Sequence, residues 1–247
     1  MGVMRRLARK SLEVMLAHFG YVLKPDGLPP RGFSSFLRFI HKRGFSPRSI
    51  FDVGVGYGTP WLYDAFPKAR FVLIEPLEEF EPYLQKTCRQ LDAEYHLVGA
   101  GATRERLPVY RPANGPTGSS FRPRTRQRAN TIGTIAPSDT TFEILPLDEF
   151  ADREGPILLK IDTEGYERDV LQGAQRLLSK TELVIMEIAV EQRHQDEADL
   201  AELAILMKDS GFRLFDIPNM AQQSMDGPLM FIDAAFARRG GVLLPHG

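Results

Sequence analysis

The stretch SIFDVGVGYGT, residues 49–59, decides the fold of this 247-residue chain. Its first part, SIFDVGV (49–55), is a nearly continuous apolar run, which is typical of a strand buried on both faces. Gly54, Gly56 and Gly58 lie where this strand gives way to a helical pattern, and glycines there let the backbone turn tightly and approach a ligand. The stretch therefore predicts the first strand and a ligand-binding turn of a βα unit.

The same alternation continues along the chain. Further β-rich runs are FVLIEP (71–76), EYHLVGA (94–100), ILLKID (157–162) and LVIMEIAV (183–190). Amphipathic stretches that we predict to be helices occupy 60–66, 78–91, 165–180 and 197–210. This repeated βα order predicts a parallel sheet with helices on both faces.

The C-terminal part of the chain breaks the alternation. RLFDI (213–217) and FIDAAFAR (231–238) are separated by a loop without a helical pattern, so we expect these strands to pair antiparallel at one edge of the sheet. The predicted fold class is α/β: a Rossmann-like, doubly wound, mostly parallel sheet with a C-terminal antiparallel hairpin. This is the architecture of class I methyltransferases.

Composition and charge exclude several classes of protein. The 31 Lys and Arg residues nearly balance the 32 Asp and Glu residues, for a net charge of −1, so we expect no nucleic-acid partner. A single cysteine excludes an internal disulfide framework and a zinc site built from cysteines, and we predict a reducing, cytoplasmic location. No apolar run reaches the roughly 18 to 20 residues of a membrane-spanning helix.

We expect residues 1–45 to form an N-terminal helical extension and residues 46–247 to form one domain. Apolar residues in the extension follow the helical i, i+3, i+4, i+7 spacing, after a cluster of basic residues at its start. This pattern predicts an amphipathic helix packed on the domain. A weak contact with a membrane surface or a contact between copies in an oligomer is the alternative.

A segment rich in Pro, Gly and Arg at residues 111–139 interrupts the βα pattern. Long loops inside compact domains are often lids or binding loops, so we predict a lid or a substrate loop, with a solvated insertion as the alternative. Guanidinium groups bind phosphate and carboxylate, which makes Arg122 and Arg124 candidate contacts for an anionic acceptor such as a phosphorylated glycan.

Two carboxylates indicate which ligand the glycine turn binds. Asp52 would repel a pyrophosphate but suits the cationic groups of S-adenosylmethionine, directly or through ordered water. Glu75 ends the second strand nineteen positions after Gly56, where it can accept hydrogen bonds from both ribose hydroxyls. The third glycine falls one position early for the dinucleotide spacing, because position 59 is Thr59. S-adenosylmethionine is favoured; an NAD-dependent oxidoreductase and a noncatalytic cofactor- or glycan-binding protein are the alternatives.

The predicted cofactor-binding residues lie at or next to the carboxyl ends of the first four strands, where open α/β sheets bind ligands. They are Asp52, Gly54, Gly56, Gly58, Thr59, Glu75, Pro76, Gly99, Ala100 and Asp162.

Acidic residues at the next strand ends are candidates for proton transfer. Asp162 ends the fourth strand, Glu164 follows it, and Glu187 lies late in the fifth strand, so the three carboxylates can converge on a hydroxyl acceptor. His194 can move a proton near neutral pH. Asp162 and Glu187 can also hold Mg²⁺ through oxygen ligands. Structural roles are the alternative, including an ion pair between Glu187 and Lys160.

A resemblance covers about residues 48–238. The segment LLKIDTEGYERDVLQGA (158–174) resembles the "LK-hydrophobic-D-x-EG-x-E-x-x-VL-x-GA" motif of FkbM-type methyltransferases. Other matching segments are IFDVGVGYGT, FVLIEP, GSSF (118–121), ILPLDEF (144–150) and FIDAAFARR. Residues 99–102 depart from the pattern, because relatives tend to carry small polar or acidic residues there.

The resemblance implies a class I fold, S-adenosylmethionine as methyl donor, and O-methylation of a hydroxyl on a carbohydrate, glycoconjugate or similar small molecule. Ser119 and Ser120 of the GSSF stretch become candidate substrate contacts on the same ground.

Overall fold

The computed structural model describes residues 32–113, 115–125, 137–222 and 227–246. The described residues all belong to one compact unit of the chain. The amphipathic helix predicted near the N-terminus lies outside the described residues, as do Arg126 and Arg128 of the Arg-rich segment. Within the described ranges, no helix has both the length and the apolar character needed to span a membrane.

This unit is built on a seven-stranded sheet. The strands of the described residues are β1 (Ser49–Val53), β2 (Arg70–Ile74), β3 (Ala93–His96), β4 (Gly99–Ala100), β5 (Glu105–Tyr110), β6 (Pro137–Leu145), β7 (Ile157–Ile161), β8 (Thr181–Ala189), β9 (Phe212–Gln222) and β10 (Leu229–Arg238). The large sheet has the order β3-β2-β1-β7-β8-β10-β9. Its first five strands are parallel, and β10 runs antiparallel to β8 and β9. The predicted sheet and its C-terminal edge hairpin are confirmed.

Helices cover both faces of this sheet. They are α1 (Phe33–Lys42), α2 (Pro60–Ala65), α3 (Glu81–Gln90), α4 (Glu167–Gln172), α5 (Gln175–Lys180) and α6 (Leu200–Asp209), with short 3₁₀ helices at Glu78–Phe80 and Leu147–Phe150. Ile50 of β1 packs in a buried cluster with Leu62 of α2, whereas the adjacent Phe51 packs in a second cluster with Met207 of α6. Both faces of β1 are therefore apolar, as parallel sheets require.

The amphipathic stretch 165–180 is two helices rather than the single helix predicted. α4 ends at Gln172, and the next residue, Gly173, lies so close to Gly101 that a β-carbon there would come within 1.9 Å of the Gly101 carbonyl oxygen. α5 then begins at Gln175. The close approach of two backbones explains the glycine at this position.

A second, three-stranded sheet of order β4-β6-β5 was not predicted. The run EYHLVGA was expected to form one strand, but β3 ends at His96 and β4 pairs with β6 in this other sheet. β5 and β6 are mostly half-buried or exposed, so they lack the apolar run that marks the central strands. β6 also begins inside the segment 111–139 that was predicted to be mainly a loop.

The register of the parallel strands brings their carboxyl ends side by side. Val53 is paired with Ile74 on one neighbouring strand and with Ile161 on the other. The residues that follow these three, Gly54, Glu75 and Asp162, therefore meet at one edge of the sheet.

Candidate active site

A cleft of about 280 Å³ opens at this edge. It is lined by the β1–α2 turn (53–58), the end of β2 and the residues after it (74–77, 80), β4 (99–100), Val109, the segment 116–121, and residues 162–164 after β7. Most of the predicted cofactor-binding residues line it; Asp52 and Thr59 do not. Ser119 and Ser120 also line it, so part of the Arg-rich segment forms its roof.

Backbone contacts hold the glycine turn against the next strand end. Gly54 and Gly56 have positive φ values of 75° and 54°, a conformation that glycine adopts without strain. A β-carbon on Gly54 would lie 1.8 Å from the carbonyl oxygen of Asp162. The turn after β1 therefore rests directly on the residue after β7, and only glycine fits there.

Glu75 presents a fixed carboxylate to the cleft. Its side chain is buried, with Oε2 accepting a hydrogen bond from the Gly56 N–H at 2.9 Å and Oε1 accepting one from the Leu77 N–H at 3.0 Å. Burial raises the pKa of Glu75, and these two donors oppose that shift. Each carboxylate oxygen keeps a further lone pair for a ligand hydroxyl.

Asp52 lies beneath the turn, where its side chain is completely buried. Its Oδ2 accepts a hydrogen bond from the Tyr63 hydroxyl at 2.9 Å, and its Oδ1 lies 3.2 Å from the Lys160 Nζ. The Lys160 ammonium also donates to the Gly54 carbonyl oxygen at 2.8 Å and lies 3.5 Å from Oδ2 of Asp162. Asp52 therefore supports the turn through Lys160, instead of facing a cationic ligand as predicted.

Burial and the neighbouring charge affect both partners of Asp52. Burial alone would lower the pKa of Lys160, but the charges of Asp52 and Asp162 raise it above its ordinary value. Burial and the Asp52 charge together raise the pKa of Tyr63. The charged form of Lys160 is thus favoured inside the fold. Its partners are Asp52 and Asp162, so the ion pair with Glu187 that was considered as an alternative is not observed.

Three predicted acids converge beyond the turn. One carboxylate oxygen from each of Asp162, Glu164 and Glu187 lies within 4.8 Å of the others. The Asp162 side chain is the most accessible, at 36% exposure, and the Glu187 side chain the least, at 11%. Burial, reinforced by the charges of Asp162 and Glu164, raises the pKa of Glu187, and the Arg193 charge opposes that shift.

Arg193, which the sequence did not indicate as a site residue, neutralises part of the charge of this cluster. Arg193 Nη2 lies 2.7 Å from Glu187 Oε1, and Arg193 Nη1 lies 3.3 Å from Glu164 Oε2. The Arg193 side chain is only 9% exposed. Burial raises the pKa of Glu164 and the Arg193 charge opposes that shift. Arg193 follows β8 in the stretch EQRHQDE, where no spacing rule singles it out.

A further acid lies behind the cluster on β10. Asp233 is the cross-strand partner of Glu187 and accepts a hydrogen bond from Nδ2 of Asn219 at 2.9 Å. Burial, with a smaller contribution from the Asp162 charge, raises the pKa of Asp233 to about 6. In the sequence, Asp233 lies within the predicted strand FIDAAFAR (231–238), and no spacing rule marked it as a site residue.

His194 does not reach the cleft. Its ring is 1% exposed, and Nδ1 lies 3.5 Å from Oε1 of Glu197. A β-carbon on Gly165 would come within 3.0 Å of that same nitrogen, so the imidazole packs behind the turn after β7. The predicted role of His194 in proton transfer is therefore not supported by its position.

The described arginines of segment 111–139 are engaged within the protein. Arg122 Nη2 donates to Oδ2 of Asp169 at 2.5 Å, and its guanidinium lies over the Tyr166 ring at 5.2 Å. Arg124 Nη2 donates to the Gly118 carbonyl oxygen at 3.1 Å, and Arg111 pairs with Glu79. Neither Arg122 nor Arg124 lines the cleft, contrary to their predicted role as anion contacts.

The roof of the cleft is fixed by backbone contacts to the acid cluster. The Ser120 hydroxyl donates to the carbonyl oxygen of Glu164 at 2.6 Å. The Thr125 N–H donates to the Arg193 carbonyl oxygen at 3.0 Å, and the Gln195 N–H donates to the Pro123 carbonyl oxygen at 2.8 Å. The roof segment, residues 116–125, is thus tied to both sides of the cluster.

A family model described as the methyltransferase FkbM domain matches residues 52–214. The chain belongs to the FkbM family of S-adenosylmethionine-dependent methyltransferases. The predicted resemblance is confirmed, and the NAD-dependent alternative is set aside. A comparison with proteins of curated function finds no match.

One solved structure shares the fold of this FkbM-family chain, and two others are less similar to it. An FkbM methyltransferase from Methylobacillus flagellatus KT is 19% identical with a TM-score of 0.52; the match covers 84% of this chain and 48% of that protein, so the chain spans about half of its length. Magnesium protoporphyrin IX methyltransferase from Synechocystis PCC 6803, with bound S-adenosylmethionine, is 12% identical with a TM-score of 0.42, covering 84% and 78%. A Burkholderia thailandensis 1,6-didemethyltoxoflavin-N1-methyltransferase is 13% identical with a TM-score of 0.44, covering 95% and 89%.

Replacing Lys160 with Met tests the buried ion pair. The variant leaves the Asp52 carboxylate buried without its cation, so the free energy of unfolding should fall by about 3 to 5 kcal/mol in denaturant titrations. The double variant with Asp52→Asn should recover part of that loss. Arg176→Met is the control, because its pair with Asp152 is exposed and should matter little. Equal effects of the two single variants would contradict a supporting role for Lys160.

Proposed function

We propose that this FkbM-family protein transfers the methyl group of S-adenosylmethionine to a hydroxyl of a carbohydrate, glycoconjugate or similar metabolite. The observation that carries this proposal is one continuous cleft that joins a fixed carboxylate, Glu75, to an accessible carboxylate, Asp162. The first suits the ribose of the donor, and the second lies where an acceptor hydroxyl would meet the methyl group.

The donor end of the cleft fits an adenosyl cofactor. Glu75 is held by two backbone N–H groups and can accept hydrogen bonds from ribose hydroxyls. Gly56 has open space where a β-carbon would project, so a ligand can approach the backbone closely. When bound, S-adenosylmethionine supplies an electrophilic methyl group on its sulfonium.

Asp162 is the residue that we propose to hold and deprotonate the acceptor hydroxyl. Methyl transfer is an in-line displacement, so the protein chiefly aligns the reactants and removes the hydroxyl proton. Asp162 is the most exposed acid of the cluster, and its Oδ2 lies 3.5 Å from the Lys160 Nζ. Glu187 does not line the cleft; its carboxylate contacts Arg193 at 2.7 Å and lies beside Asp162 and Glu164.

The charges around the cluster favour an uncharged acceptor. Asp162, Glu164, Glu187 and Asp233 are acidic, and Arg193 already contacts two of them. The described arginines of the roof are engaged with groups of the protein. A polyol offers hydroxyl donors to such a surface, whereas a phosphorylated acceptor would be repelled near the reacting hydroxyl.

The acid cluster does not fit a resident Mg²⁺ ion well. Its three carboxylates are the oxygen ligands that Mg²⁺ takes. The Arg193 guanidinium, however, contacts Glu187 at 2.7 Å and Glu164 at 3.3 Å, and its charge would oppose a divalent cation at the same place. No step of the proposed reaction therefore uses a metal ion.

A screen of acceptors with labelled methyl donor tests the proposed function. We expect label to enter neutral sugars or other polyols, and to enter their phosphorylated counterparts at a rate at least about tenfold lower because of charge repulsion. Transfer to protein or nucleic acid alone would reject the proposed acceptor class. Donor binding without transfer across a broad panel would favour a noncatalytic protein.

Asp162→Asn tests the role of that carboxylate. The variant keeps the shape of the side chain but cannot accept a proton, so kcat should fall by about 10² to 10⁴, the usual contribution of general base catalysis. Donor affinity, measured by calorimetry, should change less than about threefold, since it depends on other contacts. Asp64→Asn on the exposed surface of α2 is the matched control. Undiminished kcat in Asp162→Asn would refute the assignment.

A further inference from the structure

We propose that Arg193 is a positioning residue for methyl transfer: its guanidinium contacts Glu164, which lines the acceptor end of the cleft, and Glu187 beside it, and the roof segment completes this arrangement by docking on the Arg193 backbone. This inference rests on the proposed function. Arg193 itself does not line the cleft, so it acts through the two acids rather than on the acceptor.

The geometry suits a guanidinium, which carries several donors in one fixed plane. Nη1 and Nη2 of Arg193 contact carboxylates from different elements, Glu164 in the β7–α4 turn and Glu187 on β8. The guanidinium also lies over the Phe231 ring at 5.4 Å, which fixes its plane from β10. A lysine would offer one mobile point charge in place of two directed donors.

Glu164 needs such support because its backbone is strained. Its φ is +53°, a value that residues with a side chain rarely adopt. The Ser120 hydroxyl holds its carbonyl oxygen, and Arg193 holds its carboxylate. Strained residues persist where the surroundings over-determine them, and they cluster at functional sites. The roof segment therefore holds the backbone of Glu164, and Arg193 holds its side chain.

The backbone of Arg193 also connects the acid cluster to the roof segment. Its N–H donates to Oε2 of Glu197 at 2.6 Å, and its carbonyl oxygen accepts the Thr125 N–H at 3.0 Å. The hydrogen bond from the Gln195 N–H to the Pro123 carbonyl oxygen is the second backbone contact between the roof segment and the stretch after β8. One residue therefore joins the roof of the cleft to its acid cluster.

Removing the guanidinium should change how the whole cluster titrates. The groups that face Arg193 or the acids it holds are Glu164, Glu187, Glu197, Asp162, His194 and Arg124. The Arg193 charge lowers the pKa of both Glu164 and Glu187 relative to burial alone. Its loss raises both pKa values, so the acid limb of the kcat profile, which reports the coupled cluster, moves to higher pH.

The test compares Arg193→Gln and Arg193→Lys with wild type and with Arg176→Gln, an exposed arginine paired with Asp152. For Arg193→Gln we expect kcat to fall about tenfold or more, donor Kd to stay within about threefold, and the acid limb to rise by about one pH unit. Arg193→Lys restores the charge but not the fork, so its acid limb should lie closer to that of wild type while kcat remains reduced.

Several outcomes would overturn this inference. They are unchanged kcat and pH profile in a folded Arg193→Gln variant, a loss confined to donor affinity, or a shift of the same size in Arg176→Gln. Should Arg193→Gln fail to fold, Arg193→Lys decides, and wild-type kcat in that variant would contradict the positioning role. Wild-type protein without turnover on any acceptor refutes the proposed function and this inference with it, whereas an active wild type isolates the role of Arg193.

Discussion

The buried ammonium of Lys160 is the interaction on which the site depends. It lies within 3.5 Å of both Asp52 and Asp162 and donates to the Gly54 carbonyl oxygen, so it ties the turn after β1 to the end of β7. A buried charge without partners is costly, which means that each group requires the others to be in place. The two ends of the cleft that we propose for the donor and the acceptor are thereby connected through a single side chain.

The end of the cleft that we propose for the acceptor brings several acidic side chains together. Asp162, Glu164 and Glu187 approach one another closely, and Arg193 offsets only part of their charge. Burial and the neighbouring charges raise the pKa of Glu187, and the Arg193 guanidinium opposes that shift. In the proposed reaction the accessible Asp162 takes the proton of the acceptor, beside the two acids that Arg193 contacts.

The ends of the parallel strands could be predicted from the sequence, because the βα alternation implies a parallel sheet. In such a sheet the carboxyl ends meet, so Glu75 and Asp162 were expected at one edge. The sequence could not show which way a side chain points from a strand that is apolar on both faces. Asp52 therefore turned out to lie under α2, against Tyr63. The role of Arg193 could not be predicted for a related reason. Arg193 lies in a loop, and its burial depends on contacts with other elements of the fold. The second sheet also escaped prediction, since its half-exposed strands carry no continuous apolar run.

Calorimetry of S-adenosylmethionine with wild-type protein and with Glu75→Gln tests the central claim most directly. The glutamine has the shape of the glutamate, but its amide nitrogen must face a backbone N–H donor and cannot accept from ribose. The account predicts saturable binding to wild type and a Kd about 10 to 100 times weaker for the variant, equivalent to roughly 1.5 to 3 kcal/mol for hydrogen bonds to a charged group. Glu78→Gln, on the exposed surface beside it, should bind like wild type. No heat with folded wild type, or equal affinity in Glu75→Gln, would contradict it.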